Sequence, residues 1–201
     1  MENRKVVVVG NGMVGHHFID QMIQSDTNAD ITVLGAETRP AYDRVHLSEV
    51  FSGKEPKDLY LTSREFYKEN NVDAHFGDAV TNIDRNKKQI LTESGRIFDY
   101  DKLVLATGSY PFVPPIKGSE HKDCLTYRTI DDLGQIKSGA QTSKIGVVVG
   151  GGLLGLEAAN ALLNLGLETH VVEFAPGLMG VQLDEGGSKM LRRKIEALGV
   201  R

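Results

Sequence analysis

An α/β fold built from two βαβ units in tandem is predicted by three features of the sequence. The first is Val6-Val7-Val8-Val9, a continuous β-branched run that suits a strand buried on both faces of a parallel sheet. The second is the glycine turn that follows at once, Gly10-Asn11-Gly12-Met13-Val14-Gly15, standing where a strand passes into a helix. The third is the return of the same order from Lys144 onward: an apolar strand, a glycine turn over Gly150 to Gly155, and a helix.

After the first turn, Val14, Phe18 and Met22 recur at i, i+4 and i+8, the apolar stripe of a helix lying on the sheet. Ile31 to Leu34 is a second buried strand, reached by a crossover that should be right-handed. Thr62-Ser63-Arg64-Glu65 reads as a capping box ahead of a short helix that ends near Asn70 and Asn71. Five short strands then crowd together: Val72 to Phe76, Ala79 to Ile83, Gln89 to Thr92, Arg96 to Phe98 and Leu103 to Ala106. They read as an antiparallel meander that returns to the main sheet. Pro111, Pro114, Pro115 and Gly118 break regular structure, so the chain divides into a first domain over 1–112, a crossing over 113–143 and a second domain over 144–201. In the second domain Ile145 to Val149 is a strand, Leu156 to Leu165 a helix closed by Gly166, and Thr169 to Glu173 a strand. A last helix runs from Gly187 to Leu198 and stops at Gly199. Val200-Arg201 looks like an unfinished strand, so the second domain is expected to be truncated and the chain a fragment.

Composition narrows the function classes. The 201 residues are 40% hydrophobic and carry a formal charge of −4, with Lys and Arg scattered among acids, which argues against nucleic acid as a partner. No apolar run approaches the roughly 20 residues of a membrane span, and the first residues lead straight into a strand without a leader pattern. Cys124 is the single cysteine, so no internal disulfide forms, and a cytoplasmic setting is expected. The six histidines show no ligand spacing, and no metal site is expected.

The glycine turns carry the chemistry. Gly10 permits a tight turn, Gly12 lets a pyrophosphate approach the backbone, and Gly15 lets the helix pack against the strand. The amides around Met13 and Val14 then face the phosphates at the helix N-terminus. An acid after the second strand should bind the ribose hydroxyls; Glu37 lies 22 residues beyond Gly15, though a solvated loop residue is an equal reading. In the second copy, Gly150, Gly152 and Gly155 with Leu153 and Leu154 repeat the pattern, and Glu173 follows Gly155 by 18 residues. Two fingerprints in matching contexts imply two bound dinucleotides. Glu173 would repel the 2′-phosphate of NADPH, and Phe174, Ala175, Pro176 and Gly177 offer no cation to grip it, so NADH is the expected substrate.

Two fingerprints separated by a meander and a proline-rich crossing resemble the flavoprotein reductases with tandem Rossmann-like FAD and NAD(P) domains, of glutathione-reductase-like architecture. That resemblance implies FAD at the first turn and NADH at the second. It also implies that Ala106-Thr107-Gly108 approaches FAD at the end of a strand, with Val80 and Arg44 as further FAD contacts, Arg44 at the pyrophosphate. Glu157, on the helix after the second turn, would lie near the nicotinamide as the catalytic candidate, its rival reading being an exposed acid favoured by the helix dipole. Relatives that use a redox cysteine carry it where this sequence has Ala41 to Ser48, without a thiol, so electrons leaving the flavin are expected to pass to an external or attached acceptor.

Several segments resemble the large subunits of NADH-dependent, sirohaem-containing nitrite reductases: Arg39-Pro40-Ala41-Tyr42-Asp43-Arg44-Val45-His46-Leu47-Ser48, Gly108-Ser109-Tyr110-Pro111, Pro114-Pro115-Ile116-Lys117-Gly118, Tyr127-Arg128-Thr129-Ile130, Gly150 through Leu156-Glu157-Ala158-Ala159, and Glu173-Phe174-Ala175-Pro176 with Gln182-Leu183-Asp184, the region from Leu178-Met179 to Asp184 being the most family-specific. The resemblance implies a role in nitrate assimilation. NADH would reduce FAD, and electrons would pass to iron–sulfur and sirohaem centres further along the polypeptide that reduce nitrite to ammonia, with a small subunit as a further partner. This chain, lacking the cysteine clusters those centres need, would be the electron-entry module and on its own would bind both nucleotides poorly. The alternatives are a rubredoxin- or ferredoxin-type NADH reductase and a non-catalytic nucleotide-binding fragment.

Overall fold

A computed structural model describes residues 3–25 and 28–201. It divides into two compact units: the first runs to Arg44 and resumes over Lys57–Tyr110, and the second comprises Val45–Pro56 and Pro111–Arg201.

In the first unit, strands β1 (Arg4–Val9) and β2 (Ala29–Gly35) are joined by helix α1 (Met13–Gln24). Helix α2 (Arg64–Glu69) precedes β3 (Asp73–Phe76), and four strands follow: β4 (Val80–Asp84), β5 (Gln89–Thr92), β6 (Ile97–Asp99) and β7 (Lys102–Leu105). The main sheet has the order β3-β2-β1-β7, all parallel, and β4-β5-β6 form a separate antiparallel sheet. The antiparallel meander is therefore three strands, and β7 returns to the main sheet as expected. Val72 to Phe76, expected within the meander, forms the edge of the parallel sheet, because short apolar strands look alike in sequence whichever direction they pair.

The valine run of β1 is buried on both faces, as its composition predicts. Val6 and Val8 pack with Ile19, Ile31, Val33, Tyr67 and Val72 on the helical side. Val7 and Val9 pack with Leu34 and Ile90, against Val80, Ile83 and Phe98 of the meander. On α1 the stripe is turned from the expected one: Gly15 and Ile19 are buried and Phe18, Met22 and Ile23 pack on the core, while Val14 is 72% exposed. Val14 sits in the first turn, level with the glycine loop rather than over the sheet. The cap of α2 is Ser63, whose side chain accepts from Phe66 N–H, one residue later than the Thr62 pattern implied.

In the second unit, α3 (Ile130–Ala140) precedes the parallel pair β8 (Ile145–Val149) and β9 (Glu168–Val172), which is joined by α4 (Leu153–Asn164); α5 (Glu185–Ala197) follows. The segment 113–143, expected as a crossing, thus contains a helix. Thr129 and Asp132 form a reciprocal capping box that starts it. Val45–Pro56, expected in the first domain, belongs to this unit because Leu47, Val50 and Phe51 are buried here. The Phe51 ring lies 6.2 Å from that of Tyr127, and Lys137 Nζ donates to Val50 O at 3.1 Å. Unlike β1, β8 is covered on one side: Ile145, Val147 and Val149 are 55%, 57% and 62% exposed. Arg201 exchanges backbone hydrogen bonds with Thr169 and Val171, so it lies along β9.

Candidate nucleotide-binding sites

Each site begins where a parallel strand ends in a glycine turn. Gly10 has φ +108, and a Cβ there would lie 2.2 Å from Ala106 O; a Cβ on Gly15 would lie 2.0 Å from Gly10 O. Both glycines are required by the protein's own backbone. Gly12 is different, since a Cβ on it would meet nothing within 4 Å. Its lack of a side chain keeps open the space before the N-terminus of α1, where it stands as N-cap with no side-chain cap. Intrahelical bonding starts only with His16 N–H to Gly12 O at 2.9 Å. The amides of Met13, Val14 and Gly15 therefore belong to the donors that a helix leaves without an intrahelical partner. No acid occupies the first turn of α1, so the helix dipole is left to an anion. A dinucleotide pyrophosphate fits this cradle.

Around it, Ala106 N–H donates to Val9 O at 2.7 Å, which brings Ala106-Thr107-Gly108 against the glycine turn, with Gly108 at φ +71. Glu37 accepts from the hydroxyl of buried Tyr42 at 2.7 Å and forms an ion pair with Arg44, whose guanidinium lies 4.8 Å from the centre of the Tyr42 ring. Both charged side chains are 24% exposed, so Glu37 is a partnered group rather than a solvated one. Val80 packs with the Val7, Val9, Leu34 and Ile90 cluster. The intervening Asn11 accepts at Oδ1 from Tyr67 Oη at 2.8 Å. His16 is a core histidine on α1, beside the Phe66 and Tyr67 rings, and burial pushes its pKa down.

The second turn repeats the geometry with different neighbours. A Cβ on Gly155 would lie 1.9 Å from Gly150 O, whereas Gly152, the N-cap of α4, again faces open space. Leu156 N–H to Gly152 O, at 3.0 Å, is the first bond of the helix, so the amides of Leu153 and Leu154 head the site. Helix α4 starts at Leu153 rather than at the expected Leu156, and its first turn carries no acid. Glu173, one residue past β9, accepts from Gly151 N–H at 2.5 Å and Ala175 N–H at 2.7 Å. The hydrogen bonds from Ala175 and then Gly151 hold its carboxyl below the usual glutamate value. Glu157 is half-buried on α4. Burial, and secondly the negative charge of Glu157, push the Tyr127 phenol up to about 12.

Both glycine turns stand where the spacing puts them, but the groups that hold the sites do not follow from spacing: the Tyr67 and Tyr42 hydroxyls in the first unit, and the Leu178 side chain and the Met179 N–H, which meet Gly151, in the second. Tyr42 lies within a segment singled out for its resemblance. Leu178 and Met179 head the segment to Asp184, which also resembles that family, and Tyr67 carries no local signal. Among the described residues no His, Cys, Asp and Glu cluster could hold a metal, and no helix is long and apolar enough to cross a membrane.

Comparison with known proteins agrees with this geometry. The family model for pyridine nucleotide-disulphide oxidoreductases matches residues 4–201. The large subunit of nitrite reductase (NADH) from Escherichia coli strain K12 is 54% identical over the whole chain, which spans 24% of that subunit's length. The nitrite reductase [NAD(P)H] large subunit of Klebsiella oxytoca is 53% identical over 97% of the chain, which spans 21% of it. Among solved structures, a ferredoxin reductase from Rhodopseudomonas palustris superposes with a TM-score of 0.90 at 28% identity, covering 99% of this chain and 50% of that one. With its two glycine cradles, its parallel sheet and a match over nearly all of its length, the chain belongs to the pyridine nucleotide-disulphide oxidoreductase family.

Proposed function

We propose that this chain is the electron-entry module of an NADH-dependent nitrite reductase, with FAD at the first glycine turn and NADH at the second. The observation that carries the reading is the pair of open positions, Gly12 and Gly152, each heading a helix with no acid in its first turn. The likeness to nitrite reductase large subunits supports the rest. FAD held there would supply the redox chemistry that links NADH to iron–sulfur and sirohaem centres further along the same polypeptide.

The residues of this chain bind and orient. In the first unit the amides of Met13 and Val14 receive the pyrophosphate, Glu37 the ribose hydroxyls, and Ala106-Thr107-Gly108 offers a small-residue surface to the flavin. Arg44 is the cation nearest to Glu37 for a phosphate, since a guanidinium can serve a carboxylate and an anionic ligand together. In the second unit Gly152, Leu153 and Leu154 receive the NADH pyrophosphate, Glu173 selects NADH over NADPH, and Glu157 positions the nicotinamide. Partners would be the downstream redox domains and a small subunit, in a cytoplasmic setting supported by the single, unpaired Cys124.

Nitrite-dependent oxidation of NADH by the full-length flavoprotein, with ammonium as product, tests the reading. Reduction of rubredoxin or ferredoxin by NADH with no nitrite turnover would favour the rival class of reductase. Absence of both activities in flavin-loaded protein would overturn it.

A further inference from the structure

The second glycine turn is gripped by the segment that follows β9. Gly151 donates its N–H to Glu173 and accepts at its carbonyl from Met179 N–H at 2.9 Å. Both backbone polar groups of this residue are thereby used within the protein. The Leu178 side chain covers the same glycine, so closely that a Cβ on Gly151 would lie 2.5 Å from Leu178 Cδ2. Met179 has φ +55, a left-handed conformation uncommon outside glycine. Its carbonyl accepts from Gln182 N–H at 2.8 Å and Leu183 N–H at 2.9 Å, which holds that conformation in place. Further along, Asp184 caps α5.

We propose that Leu178 and Met179 form a clip that fixes the second glycine turn in its nucleotide-receiving shape and so sets affinity for the adenosine half of NADH. The inference rests on the reading of this turn as the NADH site. With Gly151 saturated, the phosphates fall to the amides beyond it, and Glu173 is oriented before any ligand arrives. Such preorganisation removes an ordering cost that binding would otherwise bear. The first turn is held by other residues: Glu37 is engaged by Tyr42 and Arg44, and Asn11 is held by Tyr67. Loss of the clip should therefore spare the flavin.

Three variants of the full-length protein test this: Leu178→Ala, Met179→Val and Met179→Gly. A β-branched residue resists positive φ, whereas glycine adopts it freely and keeps the N–H. Calorimetry should show Leu178→Ala and Met179→Val weakening ADP-ribose and NADH by the same factor, about tenfold if one hydrogen bond's worth of order is lost. Hydrogen exchange at the Gly151 amide should accelerate in both. Met179→Gly, which keeps the N–H and adopts the positive φ freely, should weaken binding less than Met179→Val. Flavin content should be unchanged in all three. Parent-like affinity and exchange in Leu178→Ala and Met179→Val would overturn the clip alone. Failure of the parent to bind ADP-ribose would remove the assignment of the NADH site and the clip with it, and loss of flavin together with NADH affinity would show general unfolding instead of a clip.

Discussion

The Tyr67 hydroxyl donates to Asn11 Oδ1 at 2.8 Å, tying α2 to the first glycine turn across 56 residues of sequence. Tyr67 is buried, and Asn11 Nδ2 already lacks a partner. Tyr67→Phe would leave the amide oxygen unsatisfied as well, at a cost of about 1–3 kcal/mol. The expected outcome is a lower urea midpoint together with weaker flavin retention, because the turn that presents the phosphate amides is loosened. Retention and midpoint equal to the parent's would show that the bond contributes nothing.

Arg44 and Glu37 form an ion pair beside Tyr42, so the guanidinium lies at the acid proposed to bind the FAD ribose. Arg44→Ala should release flavin during extensive dialysis while leaving the secondary structure intact. Flavin content measured by absorbance decides the matter, and full occupancy after dialysis counts against Arg44 as an FAD contact.

Glu173→Ser should narrow the preference for NADH over NADPH, each tenfold in kcat/KM corresponding to about 1.4 kcal/mol. The parent should favour NADH because the carboxylate, held by Gly151 and Ala175 N–H, would meet a 2′-phosphate with like charge. Equal kcat/KM for the two cofactors in the parent would sink the assignment.

Stability at acid pH should depend on Asp78. Burial pushes its carboxyl up, but the Ser94 amide, the Ser94 hydroxyl and Arg96 outweigh it and hold the group below the ordinary aspartate value of 3.8. A folded pKa depressed in this way contributes stability that is present above that value and lost as pH falls through the lower one. Urea midpoints measured over this acid range should therefore fall in the parent. They should fall less steeply in Asp78→Asn, which starts lower at neutral pH. Parallel profiles for the two would contradict the role given to Asp78.

Much of this fold was legible. The strand over Ile145–Val149 and the one over Gln89–Thr92 were read to the residue, since β-branched and apolar runs bounded by turn residues leave little choice. Helix α3 is hidden in the sequence because prolines precede it and because Gly134, Ser138 and Gly139 dilute its helical character, although Thr129 and Asp132 spell out its start. Both glycine turns and Glu173 were legible from spacing alone. Tyr67 and Met179 were not, because one acts over 56 residues and the other through a backbone N–H that has no side-chain signature.

Gly10 and Gly150 open the two turns with the same letter and nearly the same φ, +108 and +114, yet their surroundings differ. A side chain at 10 collides with the Ala106 carbonyl, 2.2 Å away, whereas one at 150 meets nothing within 4 Å and incurs only the backbone penalty. Sequence drift should therefore reach the second motif first. In a library randomised at both codons, folded clones with a side chain at 150 should outnumber those with one at 10, which makes the first glycine the more dependable marker when such turns are sought in distant sequences.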